Sequence, residues 1–438
     1  MADSRRSLAV SYGLGNLGTN MFSQAFATYV LFFYLDHLAA PLGAITLAMT
    51  VQSVWHAVLN PASGWVSDRT KSRWGRRLPY IAVGALPLGL VFWLLWNPLV
   101  GRVALPLYFF IVVALFDLFY LVTVINWTSL FPEIFRTLSD RAYVERWRQG
   151  LGIAALMLGV AVPPLLYGRF GWSAMGLILA VIGTAGFAVM VLGTRRAAQR
   201  TPTPARPLPI WPALRATFRQ PGFLGYLATN FLVQFVLVVI PAGMPFYAKY
   251  VLHIGHTQLT LMLAAVFVMA ILLVHPWSRV IVRMGSRRAF RLAIVLLAVG
   301  VIPFWFVRTF LEGILTTMFI GVGLAGFLML VDIVMAEIID DDAKRVGQRR
   351  EGLFYGINGF VLRFGTTLEA LVLYGILSAT HYRPNPAGHA TPLVQEGFRL
   401  LMAGVPLAAL LLGLLTFARY RVPESPLVVA EEMGTGGS

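Results

Sequence analysis

Three stretches of this chain set titratable or hydrogen-bonding groups among residues that are otherwise apolar. In WHAVLNPASGW (Trp55–Trp65), within an apolar run from Ala44 to Val66, His56 and Asn60 stand four residues apart. On a helix that spacing puts both on one face, together with Gln52, Ser53 and Ser63. In VALFDLFYLV, Asp117 lies mid-way along a second run, with Tyr120 one turn on. In NGFVLRFGTTLEALV, Arg363 precedes Glu369, and Asp332 interrupts LMLVDIVMAEIID. The earliest run carries a stripe of its own: Asn16, Thr19, Asn20, Ser23, Gln24 and Thr28.

Polar groups surrounded by hydrocarbon are costly unless a partner or water serves them. Such stripes therefore serve as interhelical hydrogen bonds, each worth about 1 kcal/mol or less, or line a wet cavity that handles protons and solute. Two aligned stripes on neighbouring runs favour the cavity. Its expected lining is Asn16, Asn20, Gln24, Ser53, His56, Asn60, Asp117, Tyr120, Trp127 and Arg363. For Glu369 and Asp332 a structural role is the better reading. His56 and His275 have no second ligand at metal spacing, so no metal site is expected. The chain has no cysteine, which excludes disulfides and thiol chemistry. With no phosphate-binding glycine loop and no hydrolase elbow, neither an enzyme nor an ATP-driven pump is expected, and no cofactor is implied.

The elements that must position these residues are membrane-spanning helices. The 438 residues are 58% hydrophobic and only 12% charged, against about a quarter charged in soluble domains. Apolar runs long enough to span fall near 12–35, 44–66, 80–100, 104–131, 150–168, 173–194, 223–248, 258–282, 290–310, 313–338, 353–379 and 398–418. The expected fold class is an all-α membrane protein with twelve transmembrane helices. The net charge of +16 comes from arginine clusters in alternate connections, so it reports topology rather than nucleic-acid binding. The positive-inside rule then places both termini and the arginine-rich loops in the cytoplasm of a multi-pass inner-membrane protein. MADSRRS precedes a run long enough to span and no cleavage site follows it, so no removable signal is expected.

A proline-rich basic connector divides the chain into helical bundles at 1–194 and 223–422, joined by the linker 195–222 and followed by a disordered tail, 423–438. Asp68 and Arg69 leading to RWGRR (Arg73–Arg77) find an echo in RMGSRR (Arg283–Arg288) of the second half. Two related six-helix halves around a central cavity are the plan of the major facilitator fold. Asp68, Arg69, Arg73, Arg76 and Arg77 are expected to pair with helix ends and hold a cytoplasmic gate. The mixed charges of EIIDDDAKRVGQRREG (Glu337–Gly352) are expected to latch to the first-half loops.

YGLGNLGTNMF (Tyr12–Phe22), WHAVLNPASGWVSDRTKSRWGRRLPY (Trp55–Tyr80), WTSLFPEI (Trp127–Ile134) and AEIIDDDAKRVGQRREGLFYG (Ala336–Gly356) resemble the glycoside–pentoside–hexuronide:cation symporter family, whose best-known member is melibiose permease. The resemblance runs in order from Tyr12 to Arg421. It implies alternating access, sugar–cation symport and a monomer. The family's second-helix cation pattern, W-D-A-x-N-D-P, reads WHAVLNP here, so its acids fall on His56 and Asn60. Its first-helix sugar-binding acid falls on Asn20, the arginine preceding the cation pattern on Ser53 and the eleventh-helix lysine on Arg363. A hard cation wants several oxygen ligands, preferably anionic, so sodium coupling is not expected. Histidine titrates near neutrality, and the resemblance with this departure implies proton-linked transport of a small sugar-like solute. Asp117 or His56 would carry the proton and Arg363 would act as its partner or as a solute clamp. Two other readings stand beside it. One is an amphiphile or lysolipid transporter with Phe22, Phe26, Trp55, Tyr120 and Trp127 lining its cavity. The other is a sensor or assembly protein that does not transport. A uniporter follows if neither His56 nor Asp117 matters.

Overall fold

The computed structural model describes residues 2–68, 70, 72–135, 138–198, 222–346, 351–385 and 387–418. Within these segments the side chains of Asn60 and Asp68 are not described, and neither is Arg69. Most of the expected linker and the whole of the expected tail lie outside the described residues.

Every regular element among them is a helix. In chain order they are α1 (Ala2–Phe32), α2 (Leu42–Asp68), α3 (Leu78–Leu95), α4 (Leu105–Ile134), α5 (Leu138–Val160), α6 (Pro163–Phe170), α7 (Trp172–Ala198) and α8 (Phe223–Tyr247). There follow α9 (His256–Met284), α10 (Ser286–Val301), α11 (Phe310–Val346), α12 (Glu351–Leu362), α13 (Phe364–Ala379), α14 (Pro392–Arg399) and α15 (Val405–Phe417). Wide π turns extend α1 through Phe33–His37 and α8 through Ala248–Leu252, and a third, Leu400–Gly404, joins α14 to α15.

Local sequence explains the breaks. Proline occupies the first turn of α3 and α4, where its missing N–H costs nothing. Pro163 and Pro164 follow the end of α5 and prevent it from continuing, so the expected fifth span is a pair of helices bent by 40°. The expected eleventh span is likewise interrupted, at Arg363, between α12 and α13. Thr309 and Glu312 form a capping box at the start of α11: Glu312 Oε2 accepts from Arg308 N at 2.7 Å, and Thr309 Oγ1 accepts from Glu312 N at 3.3 Å.

Among the described residues nine spans are long and apolar enough to cross a membrane, or ten with the bent α5–α6 pair. Helices α1 and α2 are not among them. They are the two that carry the polar stripes, and a stripe of amides and hydroxyls lowers the apolarity of a rod without preventing it from lying inside a bundle.

The chain forms two compact units. The first comprises Met1–Ala205, Pro241–Ala264 and Thr366–Phe398; the second comprises Arg206–Ile240, Ala265–Gly365 and Arg399–Ser438. In the first, α1 packs chiefly on α5 and α7, α3 on α4 and α7, and α2 on α4. Small residues set the α1–α5 approach: a Cβ at Gly152 would lie 2.3 Å from Asn16 Nδ2, so only glycine admits that amide. Aromatic rings fill the interior, with Tyr12 stacked on Trp127 at 5.4 Å and Phe26 on Phe116 at 5.0 Å. In the second unit α10 packs on α11 and α15, with Phe290 between Phe327 and Phe417.

Candidate functional site

The α2–α4 contact brings two buried ionisable residues of the first unit together. His56 Nδ1 lies 3.3 Å from Asp117 Oδ1, with side-chain exposures of 7% and 4%. Trp55, the preceding residue, donates its indole N–H to the carbonyl of Ala114 at 3.1 Å, which ties α2 to α4 one turn before Asp117. The far atom of each partner, His56 Nε2 and Asp117 Oδ2, is buried without a hydrogen-bond partner. An imidazole beside a carboxylate can hold one proton in either of two places, and an orphaned buried polar atom demands an explanation in ligand, water or proton chemistry. Asn60 shares the His56 face by spacing, but its side chain lies outside the described residues.

Among the described residues no hydrogen bond joins the two polar stripes. That of α1 turns toward α5: Asn16 donates to the Arg148 carbonyl at 2.8 Å and Asn20 to that of Gly152 at 3.2 Å. Gln24 is half-buried against Gly159, where a Cβ would come within 3.0 Å of its own. The two asparagine amides make the interhelical bonds that the stripe allowed. Tyr120 donates to the Thr19 carbonyl at 3.5 Å, linking α4 to α1. Trp127 and Tyr12 exchange hydrogen bonds, each side chain donating to the other's backbone carbonyl, at 3.2 and 2.9 Å. Ser53 bonds the hydroxyl of Thr367 on α13 and donates to Met49 O.

Phe22, Phe26, Tyr120 and Trp127 are all buried, packed in the interior of the first unit; Trp55 is 40% exposed. Arg363 is exposed at the α12–α13 break of the second unit. Glu369 is buried with one oxygen unpartnered, and Asp332 is exposed.

At the arginine-rich end, Arg76 and Arg77 converge on Glu133 of α4, a residue the sequence reading passed over although it stands in WTSLFPEI. Arg76 Nε lies 3.0 Å and Arg77 Nε 3.2 Å from Glu133 Oε1, and buried Arg77 also donates to Ser67 Oγ at 2.6 Å. Arg73 is exposed. Asp68 and Arg69 lie outside the described side chains. In the second unit, Ser286 donates to buried Glu337 at 2.9 Å, and Arg345 pairs with Asp341 at 2.9 Å; residues 347–350 of the expected latch are not described.

A second buried carboxylate was also missed. Asp36, in the π turn after α1, takes Lys249 Nζ at 2.6 Å, the Tyr382 hydroxyl at 2.5 Å and the Tyr250 hydroxyl. Tyr382 lies beyond the end of α13. Burial first, then the charge of Asp36, pushes its hydroxyl far above the usual phenol range, so it remains a donor. Asn385 N donates to Tyr250 Oη at 3.0 Å and closes the network. The available signal was a short echo, FYLD (Phe33–Asp36) against FYAK (Phe246–Lys249). It sets an acid and a base at matching positions, each close to a π turn.

Comparison with known proteins accords with this architecture. The family model described as MFS/sugar transport protein matches residues 11–424. The chain is 23% identical to the isoprimeverose transporter of Lactiplantibacillus pentosus, over 96% of this chain and 90% of that protein. It is 25% identical to a putative sulfoquinovose importer of Escherichia coli (strain K12), over 94% and 89%. A crystal structure of a mutant of the nucleoside transporter NupG superposes with a TM-score of 0.64 at 13% identity, covering 94% of this chain and all of that one; this likeness is one of fold. The chain belongs to the MFS/sugar transport protein family and has the major facilitator fold. It is a multi-pass membrane protein and a secondary transporter of sugar-like solutes, not an enzyme.

Proposed function

We propose that this protein couples the movement of a sugar-like solute to that of protons, with His56 and Asp117 as the protonation device. The observation that carries this reading is the buried contact between the two, each with one polar atom left without a partner. Where the family pattern has an acid on the second helix, this chain has an imidazole, and a carboxylate faces it from α4. One carboxylate and one imidazole make a poor cage for sodium, which favours anionic oxygens. They make a good proton relay, since protonation of either changes the charge of a buried pair.

The protein works as a monomer in the cytoplasmic membrane, with twelve spans in halves 1–194 and 223–422. Both termini and the Arg76–Arg77–Glu133 cluster face the cytoplasm, and the Asp36–Lys249–Tyr382 cluster closes the outer side. Asn16, Asn20 and Gln24 position α5 beside the solute path, and Arg363 clamps the solute. The names of the relatives support a sugar or sugar acid as that solute.

Uptake by reconstituted vesicles, with and without a proton gradient, tests the reading. Gradient-driven accumulation in the wild type and its loss in Asp117→Asn are expected. Uptake that stops at equilibrium and ignores both the gradient and the substitution identifies a uniporter instead.

A further inference from the structure

Among the described residues of the first unit three carboxylates are buried: Asp36, Asp117 and Glu369. Asp36 has an ammonium and two phenol hydroxyls, and Asp117 has an imidazole. Glu369 has nothing of the kind. Its Oε1 is buried without a hydrogen-bond partner, and no charged side chain among the described residues acts on it. It stands three residues past the middle of the Leu353–Ala379 span. On α13 it shares a face with Leu373 and Leu377, four and eight residues on, and both of these are buried as well.

The ionisable groups on the surrounding elements are engaged elsewhere or point away. α13 packs on α2, where Ser53 shares a hydrogen bond with Thr367 and a Cβ at Gly43 would lie 4.0 Å from the Tyr374 ring. The histidine of α2, His56, turns to Asp117. α13 also meets α14, where a Cβ at Gly397 would lie 2.7 Å from Thr380. Neither charged residue of α14, Glu396 or Arg399, acts on Glu369. Beyond the end of α13, Tyr382 and Lys249 are held by Asp36. Before its start, Arg363 is exposed. An ionised carboxylate with no partner at membrane depth is among the costliest of buried groups, and the neutral acid costs far less. A structural role would need a partner to hold, so what makes this residue tolerable here is a proton.

We propose that Glu369 is a second proton-binding site of this transporter, neutral while α13 lies against α2 and discharged to water when that contact opens. The inference rests on the proton-coupled reading above and adds to it a site on another helix. Release breaks the carboxyl O–H bond and passes the proton to water, leaving the carboxylate; loading reverses the step. The break at Arg363 separates α13 from α12, so α13 is a short segment that can leave α2 without the rest of its span. Ser53, which docks α13, stands one turn from His56, which faces Asp117. Both protonation sites therefore border the same rod.

The test is the infrared spectrum of the purified full-length protein, in which a protonated carboxyl and a carboxylate give separate bands. At neutral pH the wild type should show a protonated-carboxyl band that Glu369→Gln lacks, and raising the pH should remove it. Glutamine has nearly the shape of the neutral acid, so the thermal melt of that variant should match the wild type. In vesicles the same variant should lose gradient-driven accumulation of solute. If Glu369→Gln does not fold, Glu369→Asp keeps a titratable carboxyl, and the band should be displaced rather than lost. A protonated-carboxyl region left unchanged by these substitutions means that Glu369 is ionised, and it overturns the inference. So does a folded Glu369→Gln that accumulates solute as the wild type does. Both of those results leave the loss of accumulation in Asp117→Asn untouched. A wild type without gradient-driven accumulation overturns the coupled reading instead, and the infrared band then still decides whether Glu369 holds a proton.

Discussion

Asp117 and Asp36 are both buried carboxylates of the first unit, 3% and 7% exposed, yet their surroundings differ in kind. Asp36 has an ammonium and two phenol hydroxyls, and both its oxygens are served. Asp117 has one imidazole, with an oxygen left over. A carboxylate with both oxygens engaged resists change, because any rearrangement leaves a buried charge unserved. A carboxylate with one partner and one idle oxygen can take a proton or a ligand without first breaking a network. The first arrangement is suited to holding helix ends together and the second to changing its charge during a cycle.

The largest effect should separate these roles. Asp117→Asn should abolish gradient-driven accumulation and leave the thermal unfolding profile close to that of the wild type. If it unfolds the protein instead, Asp117 is structural and the distinction collapses. Asp36→Ala should act in the opposite way, costing about 3 kcal/mol in a denaturation experiment, because it strands Lys249. The FYLD and FYAK echo sharpens this point. The exchange Asp36→Lys with Lys249→Asp keeps the pair and should recover about 1–2 kcal/mol relative to the sum of the single changes. No recovery would show that the tyrosine hydroxyls, rather than the ion pair, hold the cluster.

Asn20→Ala should have a smaller effect, lowering stability by about 0.6 kcal/mol, the usual worth of one interhelical hydrogen bond in a membrane. A larger loss of transport than of stability would return Asn20 to the solute path. The smallest effect should come from His37, which lies beyond the first expected span. Burial, with help from Lys249, lowers its imidazole below the ordinary 6.5 despite the pull of Asp36. The unfolded chain then binds the proton more readily than the folded one. Stability should therefore be steady above pH 6.5 and fall as the pH drops through the folded value. His37→Gln should flatten that decline, as read from melting temperatures across the acid range.

Much of this was legible in the sequence, for identifiable reasons. Apolar runs announce spans because the bilayer leaves the backbone little alternative to a helix. His56 and Asp117 stood out singly because ionisable groups are rare among such residues. Their contact was not legible, since spacing along one helix says nothing about which neighbour it faces. The partners of the α1 stripe were not legible for the same reason. Asn16 and Asn20 could be read as facing water, and only the glycine at 152 on α5 explains why they meet backbone carbonyls instead. Glu133, Asp36 and Lys249 sit at helix ends, where a charge looks like ordinary surface polarity until its partners are known. The opposite charges at matching places in FYLD and FYAK were the one available clue, and it needs the two segments aligned to be seen.

The most direct test of the central claim is proton movement itself. Vesicles holding the purified protein, suspended in lightly buffered medium, are given a transported sugar while the external pH is recorded. The account predicts alkalinisation of the medium as solute enters, absent from vesicles carrying Asp117→Asn. Solute entry at the wild-type rate with no change in external pH would contradict it.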